Sequence, residues 1–220
     1  GFLPTDEANI YRTDADQLYL VGTSEVPLAA LHMGEILEEG ALPHRYAGYS
    51  TCFRREAGTY GKDMGGMFRV HQFDKVEMFS FCHPESSWDE LEFLVSVEEE
   101  IIGNFDLPYR VVNIAAGDLG GAAAKKFDIE AWLPGQQRYR EITSCSNYTD
   151  YGARRAQTRM RWGDGSIGVP HTLNGTATAI GRTLIALLEN HQRADGSVEL
   201  PEKLHPYLPE RARVLRPASS

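Results

Sequence analysis

Along the chain the apolar positions repeat at two periods, and the changes from one to the other mark the elements. Residues 45–56 alternate Ala47, Tyr49, Thr51 and Phe53 against Tyr46, Gly48, Ser50 and Cys52, the period of a strand. Residues 58–66 break the pattern with four glycines and read as a mobile loop. A second strand is predicted at 68–81, which closes an antiparallel hairpin. Helical spacing follows at 88–102 through Trp88, Leu91, Val95 and Ile102, with Gly103 as its stop. Further strands are predicted at 109–115, 126–133 and 138–144, and an amphipathic helix at 178–192 through Ile180, Leu184, Leu187 and Leu188.

The flanks are less regular. Tyr19-Leu20-Val21 predicts a short strand that ends at Gly22-Thr23. A helix is predicted from Ser24, with Pro27 in its first turn, Leu31, Ile36 and Leu37 on its face, and Gly40 as its stop. Residues 150–161 read as an arginine-rich helix, and the tail after Pro201 is expected to fray. Hairpin-linked strands, with helices that do not alternate strictly between them, make an α+β fold on a largely antiparallel sheet. Gly117-Asp118-Leu119-Gly120-Gly121 matches neither the dinucleotide fingerprint nor the P-loop, so a doubly wound fold is disfavoured.

Composition narrows the class. The 220 residues are 42% hydrophobic and 24% charged, enough for one sizeable core, and no apolar run is long enough to span a bilayer. No basic, hydrophobic leader is visible. Twenty-two basic against 31 acidic residues give a net charge of −9, so any nucleic-acid contact must be local. Cys52, Cys82 and Cys145 form no C-x-x-C pair, which argues against structural zinc or a disulfide framework and for a reduced, cytoplasmic setting.

The hairpin carries the chemistry. Period two places Arg54 and Glu56 on one face of the first strand, and Phe73, Lys75, Glu77 and Phe79 on one face of the second. Glu77 lies between Val76 and Met78 in a half-buried segment, where a carboxylate needs a partner. An arginine, a stackable ring and carboxylates in one pocket suit a nucleoside triphosphate and a small zwitterion.

Residues 53–79, from Phe53-Arg54-Arg55-Glu56 through Phe68-Arg69-Val70-His71-Gln72-Phe73 to Phe79, resemble motif 2 of the class II aminoacyl-tRNA synthetases. Thr23-Ser24-Glu25 resembles the T-x-E serine-binding signature of the seryl branch, and Arg140-Glu141-Ile142-Thr143-Ser144-Cys145-Ser146-Asn147 resembles its E-(I/L)-(S/T)-S-x-S-N strand. Asn174-Gly175-Thr176 with Ile180-Gly181-Arg182-Thr183 resembles motif 3. Four segments in family order cover most of the chain. They imply one class II catalytic domain over 1–220, an antiparallel sheet flanked by helices, truncated before motif 1 and the N-terminal tRNA-binding arm.

The resemblance implies ATP as substrate with Mg²⁺, L-serine and tRNA(Ser) as partners, the tRNA held mainly by the missing arm, and a homodimer at full length. Arg54 would meet the α-phosphate and Phe73 would stack on adenine. Arg182 would cover the other adenine face and reach the γ-phosphate, which its planar fork allows. Glu56 and the Val70 backbone would contact the base, Ile142 and Thr143 would line the nucleotide site, and Glu141 and Ser144 would hold Mg²⁺. Serine would fall to Thr23, Glu25 and Asn174, with Glu77 and Thr176 on its hydroxyl. The sequence departs from the family pattern at Gly152, where bacterial members usually carry glutamine, and at Tyr148-Thr149. Arg154, Arg155, Arg159 and Arg161 are the first candidates for RNA or phosphate contact. Two other readings stay open: a paralogue that activates serine for a different acceptor, and a silent paralogue used for binding.

Overall fold

A computed structural model describes residues 7–57 and 66–218. The segment 58–65, which holds most of the glycine-rich loop predicted above, lies outside the described residues. In chain order the elements are α1 (Glu25–Ala30), β1 (Ile36–Glu38), β2 (His44–Phe53), β3 (Gln72–Cys82), α2 (Ser87–Asn104) and β4 (Tyr109–Asn113). They continue with β5 (Lys125–Leu133), β6 (Arg138–Asn147), α3 (Tyr151–Ala156), β7 (Arg159–Arg161), β8 (Ile167–Gly168) and β9 (His171–Ala179). α4 (Ile180–Asn190), β10 (Val198–Glu199) and β11 (Val214–Leu215) close the described chain.

The predicted α+β class and antiparallel sheet are present. Six strands pair in the order β2-β3-β9-β6-β5-β4, every neighbour antiparallel. The predicted hairpin forms its edge, with Gly48 opposite Glu77. Helix α2 covers one face: Leu91, Leu94 and Val95 pack on Met78, Cys145, Leu173 and Ala177. Helix α4 buries Ala186 and Leu187 against Ile129, Ala131, Leu133 and Ile142, with Ile102 of α2 in the same cluster. On the other face Leu28 and Leu37 meet Phe79 and Phe81. Apolar side chains at period two on the strands and near period four on the helices thus meet in one layered core.

Several expected boundaries move, each for a local reason. The helix expected from Ser24 to Gly40 stops at Ala30. Gly34 takes φ +77° and its N–H donates to the Ala156 carbonyl, so Ile36 and Leu37 enter β1 instead. The arginine-rich helix is likewise cut: Gln157 takes the left-handed conformation, and Arg159 and Arg161 stand on β7, paired in parallel with β1. Those four arginines therefore share no helix face. Within the tail expected to fray, β11 pairs with β10 among the described residues. Of the strand at 19–21 only the Arg12–Tyr19 bridge forms. Trp88 is exposed, and Gly103 lies within α2.

The main omission is β9. Thr172, Asn174 and Thr176 lie on one face and Leu173, Gly175 and Ala177 on the other, and all six are buried. Polar and apolar residues do alternate along it, but both faces are buried and the side chains are small, so no solvent-facing set marks it as a strand. Two bulges interrupt the sheet. Opposite Val76 and Glu77 stand Thr178 and Thr176, so Ala177 is the extra residue in β9. Opposite Ile129 and Glu130 stand Thr143 and Glu141, so Ile142 is extra in β6. A bulge re-aims the side chains beside it.

Candidate active site

Two cavities open above the middle of the sheet. The smaller, about 210 Å³, is lined by Arg54, Glu56, Val70, Phe73, Glu141, Ile142, Thr143, Ser144 and Arg182, every residue expected to meet the nucleotide. Phe68 and Arg69, which the sequence reading left without roles, line it too. The larger, about 620 Å³, holds Glu25, Glu77, Asn174 and Thr176. Arg54, Lys75, Ser144 and Thr176 line both, so the cavities join there.

In the smaller cavity Arg54 follows directly on the end of β2. Its Nε donates to the Gly22 carbonyl at 3.1 Å and its guanidinium stands 5.3 Å from the Phe73 ring. The expected Arg54–Glu56 face does not exist. β2 ends at Phe53, and Glu56 takes φ +52°, turning it to an ion pair with Arg69. Arg182, in the first turn of α4, donates to the Glu141 carbonyl at 2.9 Å and lies 3.6 Å from its carboxylate. Its guanidinium covers Phe68 at 4.7 Å, and Arg140 lies over the same ring at 4.0 Å.

Burial lowers the Arg182 pKa, opposed by Glu141, and the charges of Arg69, Arg54 and Arg140 lower it further. Arg54, Arg69, Lys75 and Arg182 line this cavity against Glu56 and Glu141, an excess of positive charge, in a chain of net charge −9, that bound anions would balance. Glu141 and Ser144 offer oxygen donors at the same cavity. Among the described residues no group of three His, Cys, Asp or Glu side chains could hold a metal alone. That donor set fits Mg²⁺, which takes one or two protein oxygens and completes its shell with phosphate and water.

The larger cavity holds a buried carboxylate pair, Glu25 and Glu77. Lys75 Nζ lies 2.5 Å from Glu77 Oε2, with both side chains almost fully covered. Asn174 Nδ2 donates to Glu25 Oε2 at 2.9 Å and to Glu77 Oε1 at 3.3 Å, while Thr176 Oγ1 donates to Glu77 Oε2 at 3.3 Å. Burial raises the Glu25 carboxyl to about 7, and the neighbouring Glu77 adds to this against Lys75 and Tyr148. Glu77 is also raised by burial, while Lys75, Asn174 and Thr176 pull it down. Arg54, Lys126 and Arg155 also line this cavity, but within the buried cluster two carboxyls face one ammonium, Lys75, and a substrate ammonium there would balance the second.

Thr23 does not reach either cavity. Its side chain is buried, and its hydroxyl accepts from the Glu25 N–H at 3.2 Å, so it holds the turn that presents Glu25. Lys75 and Tyr148 are site residues without a predicted role. Lys75 could have been found, since it shares the Phe73–Glu77 face; Tyr148 gave no signal beyond its unusual place in the motif. Arg155 and Gly152 line the outer part of the larger cavity, whereas Arg154 pairs with Asp150 and Arg161 with Glu38. Among the described residues no helix is long and apolar enough to cross a membrane.

Comparison with known proteins agrees with this geometry. The tRNA synthetase class II core domain (G, H, P, S and T) family matches residues 9–191. The serine–tRNA ligase of Pseudothermotoga lettingae is 54% identical over 208 residues, which are 94% of this chain and 49% of that protein. The chain thus spans about half the length of the curated relatives it matches. The crystal structure of seryl-tRNA synthetase from Pyrococcus horikoshii complexed with ATP superposes with a TM-score of 0.92 at 49% identity, covering 97% of this chain and 47% of that one. That of the cytoplasmic serine-tRNA ligase from Naegleria fowleri in complex with AMP gives 0.90 at 42% identity, covering 97% and 50%.

Proposed function

We propose that this chain, which belongs to the class II tRNA synthetase core domain family, is the serine-activating part of a serine–tRNA ligase. The observation that carries the proposal is the joining of the two cavities. A phosphate-seeking arginine cluster and a pocket with an ammonium-seeking carboxylate pair share Arg54, Lys75, Ser144 and Thr176 at their boundary. A nucleotide in one and an amino acid in the other would meet there, α-phosphate against carboxylate. The ATP and AMP complexes of the two similar structures support the nucleotide assignment.

The serine carboxylate attacks the α-phosphorus in line, its oxygen forms the new bond to phosphorus, and pyrophosphate leaves with the electron pair of the broken P–O bond. A free carboxyl has a pKa near 3.5, so the nucleophile is already ionised and no protein base is required. Positioning and charge neutralisation carry the step. Arg54 meets the α-phosphate, Phe73 and Arg182 sandwich adenine, and Arg182 reaches the terminal phosphate. Glu56 and the Val70 backbone read the base, while Ile142 and Thr143 complete the wall. Glu141 and Ser144 would hold Mg²⁺, which supplies further charge neutralisation when bound.

On the serine side Glu25 and Asn174 take the ammonium, and Glu77 and Thr176 take the hydroxyl. Thr23 acts through the Glu25 turn. Transfer to the terminal ribose of tRNA(Ser), a homodimer at full length, the assignment of 1–220 to one catalytic domain, and a cytoplasmic setting follow from the same reading. A non-hydrolysable sulfamoyl analogue of seryl-adenylate tests it by calorimetry. The analogue is expected to bind far more tightly than ATP or serine alone, because one molecule fills both cavities. Equal affinity for the seryl and alanyl analogues would overturn the assignment of the larger cavity to serine.

A further inference from the structure

Glu98 is a buried carboxyl for which the reaction above has no use. It lies on α2, fully covered, beneath the sheet and opposite the cavities. Its Oε2 accepts from Thr143 Oγ1 on β6 at 3.0 Å, and the Thr176 backbone N–H on β9 faces the same carboxyl. Its Oε1 makes no hydrogen bond and presses on Gly175, where an added Cβ would lie 2.8 Å from it. Burial raises this carboxyl to about 9, with Glu77 and Asp128 adding to the rise and Thr143 opposing it, so it is a neutral acid at neutral pH.

Those contacts lie where the sheet divides. β6 and β9 pair only through Cys145, Ser146 and Asn147 with Gly175, Asn174 and Leu173. The next residues are Ser144 and Thr176, two of the four shared by both cavities. Just past them each strand carries its extra residue, Ile142 on β6 and Ala177 on β9. A bulge leaves backbone groups without ladder partners, and buried ones need another partner. One side chain on α2 bonds beside one bulge and faces the other.

We propose that Glu98 is a positioning residue, which holds the parted strands β6 and β9 from below so that Ser144 and Thr176 meet across the junction of the two cavities. The proposal rests on the reading of those cavities given above. It assigns Gly175 a purpose, since only a residue without a side chain lets the carboxyl approach the strand. It also separates Glu98 from a packing residue, because shape alone would be served equally well by leucine.

The test compares Glu98→Gln, Glu98→Leu and Thr143→Val in serine-dependent ATP–pyrophosphate exchange, each protein checked for folding by its melting temperature. Glutamine keeps the shape and hydrogen-bonding capacity, so kcat is expected to stay within about threefold of the parent. Leucine removes the hydrogen-bond acceptors, and kcat is expected to fall roughly 10- to 100-fold, the usual effect of misplacing reacting groups by about 1 Å, with KM for serine and ATP little changed. Thr143→Val is expected to fall between them. Parent kcat in Glu98→Leu, or an equal loss in Glu98→Gln, would overturn the proposal. If Glu98→Leu does not fold, parent kcat in Thr143→Val would do so. If the parent shows no exchange, the functional reading fails and amide exchange decides the inference separately. Residues 142–144 and 175–178 should then lose protection in Thr143→Val and keep it in Glu98→Gln; unchanged protection in Thr143→Val would overturn it.

Discussion

Replacing Glu98 by glutamine is expected to change how stability depends on pH, and the sign follows from its surroundings. Burial lifts the Glu98 carboxyl from an ordinary 4.5 to about 9, and the main charges acting on it, Glu77 and Asp128, add to the rise. Between those two values the unfolded chain has released the proton and the folded chain still holds it. A group raised in this way contributes its full stability below the unfolded value and loses it as pH climbs toward the folded one. The parent therefore loses about 1.4 kcal/mol per pH unit through this residue, roughly 4 kcal/mol by about pH 7.5. Glutamine does not titrate. How well its amide fits sets a constant offset, and the proton alone sets the slope. Glu25, Glu77 and Asp128 titrate in both proteins and cancel in the difference. Urea melts from about pH 5.5 to about pH 8, each extrapolated to water, should show the variant gaining on the parent at about 1.4 kcal/mol per unit, with the gain levelling off as pH nears 9. A difference that stays flat across that range would mean that Glu98 is ionised in the folded protein, and the description of its site would be wrong.

Glu77→Ala should abolish serine-dependent exchange while leaving ATP affinity within about threefold, since Glu77 lines only the larger cavity; exchange at the parent rate would refute the assignment. Gly175→Ala should cost about 1–3 kcal/mol in a thermal melt, because its Cβ would meet Glu98 Oε1 at 2.8 Å and Cys145 Sγ at 3.2 Å; an unchanged melting temperature would show that the carboxyl does not sit there. Serine should be preferred over cysteine or threonine, and these over alanine. Lys75, Asn174 and Thr176 already satisfy Glu77, so alanine forfeits a hydrogen bond to a charged group rather than stranding an empty site. The serine-to-alanine ratio should then lie nearer 10² than the roughly 10⁴ of a site left wholly unpaired. Thr176→Ser should admit threonine better, and no change in threonine exchange would show that Thr176 does not wall the pocket.

What the sequence made legible was chemistry written in single strands. Glu77 stands out as a carboxylate between Val76 and Met78, and alternation puts Lys75 and Phe73 on its face, where the structure has them. The ion pair of Lys75 with Glu77 was readable by the same rule, yet its role was missed. The motif resemblances brought Glu141, Ser144, Thr176 and Arg182 into view, and all four line the smaller cavity. Features that depend on two segments at once were not legible. The β1–β7 pairing needs Gly34 bonded to Ala156 and Gln157 in the left-handed region, so two long helices were read where two short ones end. β9 alternates polar and apolar residues but buries both faces, so no exposed face marks it. Bulges at Ile142 and Ala177 exist only as mismatches between partners. Glu98 stands three residues after Val95 and four before Ile102, so helical spacing already sets it on the buried face of α2; only the divided strands it meets there were not legible.

The central claim is that the two joined cavities activate serine. Serine-dependent exchange of labelled pyrophosphate into ATP measures that step alone, without tRNA, and alanine, glycine, threonine and cysteine serve as comparisons. The account predicts rapid exchange with serine, slower exchange with cysteine or threonine, and the least with alanine and glycine, which lack the hydroxyl that Glu77 and Thr176 receive. Exchange with alanine as fast as with serine would contradict it.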